Sequence, residues 1–218
     1  GDVYKRQVCA LALAFAIGAL LGLMATSGNK ILKFVARVYV EFIQNTPLLL
    51  QLCFLYYALA FAGLSLGVIR TGIIALGVYT GAYMGEVVRA AIESVPKGQF
   101  EAGYAQGFNT AEVLLYIVLP QAYRNIVPTL LSQVITTIKD SSYLANVATI
   151  ELMARIRQLL SAAGTYNGLG TVNVSDVMVL FGAACVIYFV INFTLSCVVR
   201  SMQNRRKKAL VFAPAKAA

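Results

Sequence analysis

The 218-residue sequence contains no histidine. Its absence excludes the sites that depend on imidazole, namely most catalytic triads, most zinc sites and most proton relays. The sequence also lacks the GxxxxGK[ST] pattern of a P-loop. We therefore expect no enzyme active site, no metal site and no ATP binding of the usual kind in this chain.

Charged residues are scarce as well. They make up 12% of the chain, about half the share in soluble domains, whereas 59% of the residues are apolar and the mean hydropathy is +0.74. This composition predicts an all-α integral membrane protein. The net charge of +9 does not indicate nucleic-acid binding, because the basic residues cluster beside apolar runs without interleaved aromatics.

Five apolar segments are long enough to cross a bilayer, given about 20 helical residues per crossing. They are residues 8–26, 46–66, 71–88, 121–139 and 177–199. Residues 1–7 look detached from the run that begins at Val8, so we treat them as a non-native addition. A transmembrane domain over 8–200 and a basic tail over 201–218 follow.

Lysines and arginines predict the orientation. With the N-terminus outside, twelve of them fall in inner segments and four in outer segments, leaving aside Lys5 and Arg6. We therefore expect an outer N-terminus and a cytoplasmic C-terminus, with the tail's Arg205-Arg206-Lys207-Lys208 run at anionic lipid headgroups. A cleaved signal peptide at the start is the rival interpretation, although a 19-residue apolar run is long for one.

Residues 33–44 alternate polar and apolar side chains at helical spacing. Lys33, Arg37 and Glu41 follow one another at intervals of four, with Phe34, Val35, Val38 and Phe42 on the other side. This pattern fits an amphipathic helix along the inner membrane surface, or a plain extension of a neighbouring span.

A polar stretch over about residues 94–120 interrupts the apolar sequence. Pro96 and Gly98 end one helix, Gly107 suits a helix C-cap, and Asn109 with Glu112 forms a capping box. We expect a helix–turn–helix elbow whose second helix ends at Leu119, with Pro120 marking the entry to the next span. Such an elbow either docks in a cleft of a partner protein or rests on lipid headgroups.

This elbow resembles the EAA loop of ABC-importer permeases, with Glu101-Ala102-Gly103, then Gly107 separated from Ile117 by nine residues, and Leu119-Pro120. Only Gly103, in place of a second alanine, departs from the pattern. Flanking motifs are similar to the polar amino-acid subgroup: Asn45–Gln51, Gly81–Arg89, Pro96–Gln99, Leu119–Ala122, Lys139–Ser142 and Glu151–Met153. The resemblance covers about residues 10–200.

The resemblance implies a five-helix permease subunit of the type I importer fold. It would pair with a second permease copy or a paralogue, with an ABC ATPase dimer that holds ATP and Mg²⁺, and with an extracytoplasmic amino-acid-binding protein in a bacterial plasma membrane. The implied ATPase-coupling residues are Gly98, Gln99, Glu101, Ala102, Gly103, Gly107, Leu119 and Pro120.

Polar residues in or near the spans are candidates for the substrate path, because they are costly in lipid. They are Gln51, Tyr83, Glu86, Arg89, Lys139, Asp140 and Ser141. Arg89 and Lys139 can pair with the carboxylate of an amino acid, and Glu86 and Asp140 with its ammonium group. Equally, Glu86 and Arg89 can form a plain surface pair.

Overall resemblance favours glutamine or glutamate as the substrate, with a basic amino acid or cystine as the alternative. A passive channel is a more remote possibility, since the sequence shows no rings of like polar residues.

Overall fold

The computed structural model describes residues 2–147, 152–166 and 173–211. Within these ranges the chain is almost entirely helical, with no β-strand. It divides into two compact units, 1–149 and 150–218. Glu151 of the Glu151–Met153 motif and residues 212–218 of the predicted tail lie outside the described residues.

The first unit begins with α1 (Asp2–Thr26) and α2 (Lys30–Gln44). α3 covers Leu48–Phe61 and contains a π-helical turn at Phe54–Ala58. α4 (Gly67–Glu93) and α5 (Lys97–Ala105) follow. α6 runs without a break through Thr110–Glu112, a π-helical segment at Val113–Val118, and Leu119–Asp140, and a 3₁₀ helix at Ser141–Val147 follows it.

The second unit contains α7 (Leu152–Tyr166) and α8 (Val174–Val211). α8 continues past the predicted end of the fifth span at Val199 and reaches Val211, so the helix extends into the segment predicted as a basic tail, and the boundary at residue 201 stays a prediction. The reason is local: no glycine or proline occurs between Ser201 and Val211, so nothing stops the helix.

Three described helices are long and apolar enough to cross a membrane, at Lys5–Thr26, Gly67–Glu93 and Val174–Asn204. A fourth crossing is possible if α2 and α3, which meet at an angle of 97°, count as one broken span. α6 is also long enough, but Gln121, Gln133 and Asp140 make it more polar. The prediction of five equivalent spans is therefore only approximate.

The predicted second span, 46–66, is shorter in the structure. Pro47 is extended and precedes the first helical residue, Leu48. The helix ends at Phe61, and Gly63 then takes a φ of +81°, a left-handed conformation that favours glycine. The Gln51 amide nitrogen lies 3.0 Å from the Ile43 carbonyl oxygen and 2.6 Å from Thr46 Oγ1, so this side chain fixes the bend between α2 and α3.

α1 and α4 contact each other at glycines of α4 and run parallel. A Cβ built on Gly77 would lie 2.6 Å from Leu13, one on Gly81 2.8 Å from Ile17, and one on Gly85 2.9 Å from Leu21. The residue numbers of the contacting pairs increase together along both helices, so α1 and α4 are parallel. The chain must therefore cross back between them, as α2 and α3 allow.

α4 and α6 are antiparallel. Gly72 faces Leu144, Thr80 bonds Thr137, and the end of α4 shares an apolar cluster with Ala122 and Ile126. The Thr80 and Thr137 hydroxyl oxygens are 3.0 Å apart, and both side chains are buried. This packing leaves the elbow at one end of the α4–α6 pair.

Candidate functional site

The elbow consists of α5 and the first part of α6. Asn109 caps the second helix, since its Oδ1 accepts from the Glu112 N–H at 3.0 Å and Glu112 Oε2 accepts from the Asn109 N–H at 2.8 Å. Gly107 has a φ of +88°, which permits the turn before this cap. The predicted capping box and the predicted C-cap glycine are both confirmed.

The two helices of the elbow are closely packed on each other. Gly103 is buried, and a Cβ built on it would lie 2.7 Å from Ile117 Cδ1 and 2.8 Å from Val113 Cγ2. The Gln121 amide donates to Gln99 Oε1 at 3.1 Å and so links α5 to α6. These contacts make the elbow a compact unit.

Gly103 therefore faces the interior of the elbow. The close approach it permits is to α6 of its own chain. Gly98, Glu101, Ala102 and Gly107 are exposed, so they form the accessible part of the predicted coupling set. Gln99 is exposed as well, while its side chain joins the two helices.

Pro120 does not end the second helix, contrary to expectation. A proline inside an α-helix lacks one hydrogen bond and clashes with the carbonyl four residues earlier. Here the π-helical segment at Val113–Val118 accommodates it, and the Leu119 N–H bonds the Leu114 carbonyl five residues back. The elbow is thus continuous with α6, and Leu119 and Pro120 lie inside that helix.

A polar cleft of about 230 Å³ lies between α4 and α6. Its lining residues are Tyr79, Thr80, Tyr83, Gln133, Thr136, Thr137 and Asp140. The Tyr79 and Tyr83 hydroxyl oxygens are 3.2 Å apart, and the two rings contact each other. Hydroxyl, amide and carboxylate groups therefore converge on one small volume between the middle of α4 and the C-terminal end of α6.

The predicted substrate-path residues do not meet in one place. Tyr83 and Asp140 line the α4–α6 cleft. Glu86 and Arg89 line a separate cleft and bind each other, with 2.7 Å between Arg89 Nη2 and Glu86 Oε2. Lys139 is exposed, and the Ser141 hydroxyl donates to the Ile138 carbonyl at the end of α6.

Five lining residues of the α4–α6 cleft were missed from the sequence: Tyr79, Thr80, Gln133, Thr136 and Thr137. A signal for them was present. Gln133, Thr136, Thr137 and Asp140 recur at the i, i+3, i+4, i+7 spacing of one helix face. A polar stripe of this kind in a predicted span indicates a face that lines a cavity or a partner helix.

Comparison with known proteins assigns the chain to a family. The sequence profile of the family described as "binding-protein-dependent transport system inner membrane component" matches residues 15–208. The chain belongs to this permease family. It is therefore an integral inner membrane subunit of an ABC-type importer and not the catalytic subunit.

Individual relatives match the permease over most of its length. It is 37% identical to the probable glutamine ABC transporter permease protein GlnM of Bacillus subtilis (strain 168), over 93% of this chain and 89% of the relative. It is 34% identical to the L-cystine transport system permease protein TcyB of the same organism, over 88% and 80%.

The fold of the permease also matches that of a solved structure. A crystal structure of an amino acid ABC transporter with histidines matches with a TM-score of 0.78 and 29% identity, over 92% of this chain and 89% of that chain. The predicted all-α permease fold is therefore confirmed.

Proposed function

We propose that this permease carries a polar amino acid of the glutamine class across a bacterial plasma membrane, driven by ATP that a separate ATPase dimer hydrolyses. The names of the similar permeases support this substrate class: glutamine for GlnM and cystine for TcyB. Cystine is accordingly the second candidate. An extracytoplasmic binding protein would deliver the amino acid, and a second permease copy or a paralogue would complete the pathway.

The exposed face of the elbow is the proposed ATPase-docking surface. Glu101 and Ala102 lie on α5, and both are exposed. Because the Gly103 contact and the Gln99–Gln121 bond hold α5 on α6, a force on this face moves both helices together.

α6 connects this surface to the α4–α6 cleft. It runs unbroken from Thr110 in the elbow to Asp140 in the cleft, a length of roughly 45 Å at 1.5 Å per residue. Displacement of the elbow by ATPase closure would therefore tilt or shift one wall of the cleft. That is a direct route from ATP hydrolysis to alternating access.

The α4–α6 cleft is the proposed substrate contact. The Asp140 carboxylate can accept from the ammonium group, and the tyrosine hydroxyls and the Gln133 amide can bond a polar side chain. Lys139, next in sequence to Asp140, is the proposed partner of the substrate carboxylate.

The decisive experiment is glutamine uptake into proteoliposomes that contain the permease, its ATPase and its binding protein. We expect Glu101→Lys to reduce uptake at least about tenfold, because it places a positive charge on the docking face, while the variant still inserts and melts like the wild type. Lys97→Gln at the start of the same helix is the control. Wild-type uptake by Glu101→Lys would refute docking through this face.

A second variant tests the substrate site. We expect Asp140→Asn to raise the KM for glutamine uptake about tenfold or more, because the ammonium loses its charged partner. ATPase activity without substrate should remain normal. The same assay with cystine in place of glutamine distinguishes the two substrate candidates. An unchanged KM in Asp140→Asn would mean that the substrate binds outside the α4–α6 cleft.

A further inference from the structure

A second cleft, of about 450 Å³, opens between α2 and α4. We call it the α2–α4 cleft. Its charged lining residues are Lys33, Arg37 and Glu41 from α2 and Glu86, Arg89 and Glu93 from α4, above an apolar floor that includes Leu21 and Ala25 of α1. It lies at the end of α4 from which the elbow begins.

The two walls of this cleft carry opposite net charge. On α4, Arg89 lies between two carboxylates, 2.7 Å from Glu86 and 2.6 Å from Glu93, so the triad has one net negative charge. On α2, Lys33 and Arg37 outnumber Glu41, whose carboxylate accepts from the Asn45 amide at 3.1 Å. That wall has one net positive charge.

No ion pair joins the two walls among the side chains that the structure describes. Both ion pairs in the cleft lie within α4. The basic groups of α2 thus face an open volume with the acidic groups on its far side. Such a cleft is electrostatically complementary to a zwitterion whose anionic group lies at α2 and whose cationic group lies at α4.

The surroundings of the cleft favour a lipid. Ile31, Phe34 and Phe42 of α2 are 71%, 67% and 64% exposed, and Val35 and Val38 are exposed on the same side. In an integral membrane protein an apolar face that no subunit covers packs against acyl chains. The same helix therefore presents a surface for acyl chains beside a charged cleft, which is the arrangement of a phospholipid with its headgroup bound.

We propose that the α2–α4 cleft binds the headgroup of a zwitterionic phospholipid with a primary ammonium group, as in phosphatidylethanolamine. Its phosphate pairs with Lys33 and Arg37. Its ammonium donates to Glu86 and Glu93, which a quaternary ammonium cannot do. A free amino acid has the same pair of charges, but it has no acyl chains to contact the apolar face of α2.

Native mass spectrometry of the delipidated full-length permease, titrated with defined lipids, tests the proposal. We expect phosphatidylethanolamine to be retained at roughly tenfold lower lipid concentration than phosphatidylcholine or phosphatidylglycerol. Arg37→Gln and Lys33→Gln should abolish this preference. Arg70→Gln removes an exposed basic residue at the other end of α4 and should leave the preference intact. Melting temperatures equal to that of the wild type confirm that each variant folds.

Three outcomes would overturn the proposal. Equal retention of the three lipids, or equal retention by Arg37→Gln and Arg70→Gln, would show that the cleft does not select a headgroup. Displacement of the lipid by millimolar free glutamine would assign the cleft to the transported amino acid. The third outcome concerns the charge-exchanged variant, Lys33→Glu with Glu86→Lys. Wild-type glutamine uptake by this variant, together with no lipid preference, would mean that the two walls pair directly with each other.

Discussion

The two glycines of the elbow have different physical roles. Gly107 has a φ of +88°, where a residue with a Cβ costs about 1–2 kcal/mol, so backbone conformation requires glycine there. Gly103 has ordinary helical geometry, and packing requires a small residue, because Val113 and Ile117 occupy the space beside it. The alanine of the EAA pattern would fit only after these side chains shift by some tenths of an ångström.

Substitution of Gly103 by a large residue should destabilise the elbow. We expect Gly103→Leu to lower the free energy of unfolding by about 1–3 kcal/mol through overpacking. Gly98→Leu on the same helix is the matched control, because nothing lies within 4 Å of its built Cβ. Thermal melting of the purified permease measures both. Equal melting temperatures would contradict the packing described for α5 on α6.

At the scale of elements, the sequence predicts the start of α6 because the capping signal is local. Asn109 and Glu112 define the start of α6, and Asn29 caps α2 by accepting from the Ile31 N–H. The same reliance on single residues wrongly predicts that the second helix of the elbow ends before Pro120. A π-helical turn is a property of six residues and their packing, and no single residue in Val113–Val118 indicates it.

In the amphipathic helix α2, too, the sequence predicts one feature and tertiary packing decides another. The spacing of Lys33, Arg37 and Glu41 predicts the polar face, and the break at Ser27–Asn29 shows that α2 is not an extension of the first span. Besides this polar face and the exposed apolar face, α2 has a third face, which contains Ala36, Val40 and Ile43. These residues are buried against α1 and α4, so this face depends on tertiary packing. Sequence periodicity alone does not distinguish burial in protein from burial in lipid.

The parallel contact between α1 and α4 should depend on small residues. A Cβ built on Gly18 would lie 2.5 Å from Met84 Cβ and 3.1 Å from Met84 backbone carbon, so a larger side chain has no room. We expect Gly18→Leu to cost at least about 2 kcal/mol of stability. Gly182→Leu on α8, where nothing lies within 4 Å, should cost little. Trypsin resistance and thermal melting report the difference, and equal stability would refute the close contact.

At the scale of the whole molecule, composition predicts a membrane protein, and the apolar segments predict the order of its helices. Both predictions succeed because they depend on the average chemistry of long segments. The candidate site is only partly predictable. Tyr83 and Asp140 are 57 residues apart in sequence, and only the antiparallel packing of α4 and α6 brings them to one cleft. The pairing of Glu86 with Arg89 is local, and the sequence already offers it as a surface pair.

The orientation remains a prediction, and labelling can measure it. In a variant without Cys9, Cys53, Cys185 and Cys197, single cysteines replace Gly98 in the elbow or Ser65 between α3 and α4. We expect a membrane-impermeant maleimide to label Ser65→Cys in intact cells and Gly98→Cys only after lysis, because basic residues favour the cytoplasm. The reverse pattern would invert the orientation, and labelling of both in intact cells would contradict the alternation of spans.

The parallel packing of α1 on α4 also has a consequence for biosynthesis. Leu13 meets Gly77, Ile17 meets Gly81 and Leu21 meets Gly85, so each contact joins residues 64 positions apart. At about 5–20 residues per second, the ribosome needs roughly 3–13 s to supply the partner after α1 is made. During this delay the side of α1 that will pack on α4 faces lipid or the insertion machinery. α1 can therefore pack on α2 early, but its contact with α4 must wait until α2, α3 and much of α4 have been synthesised.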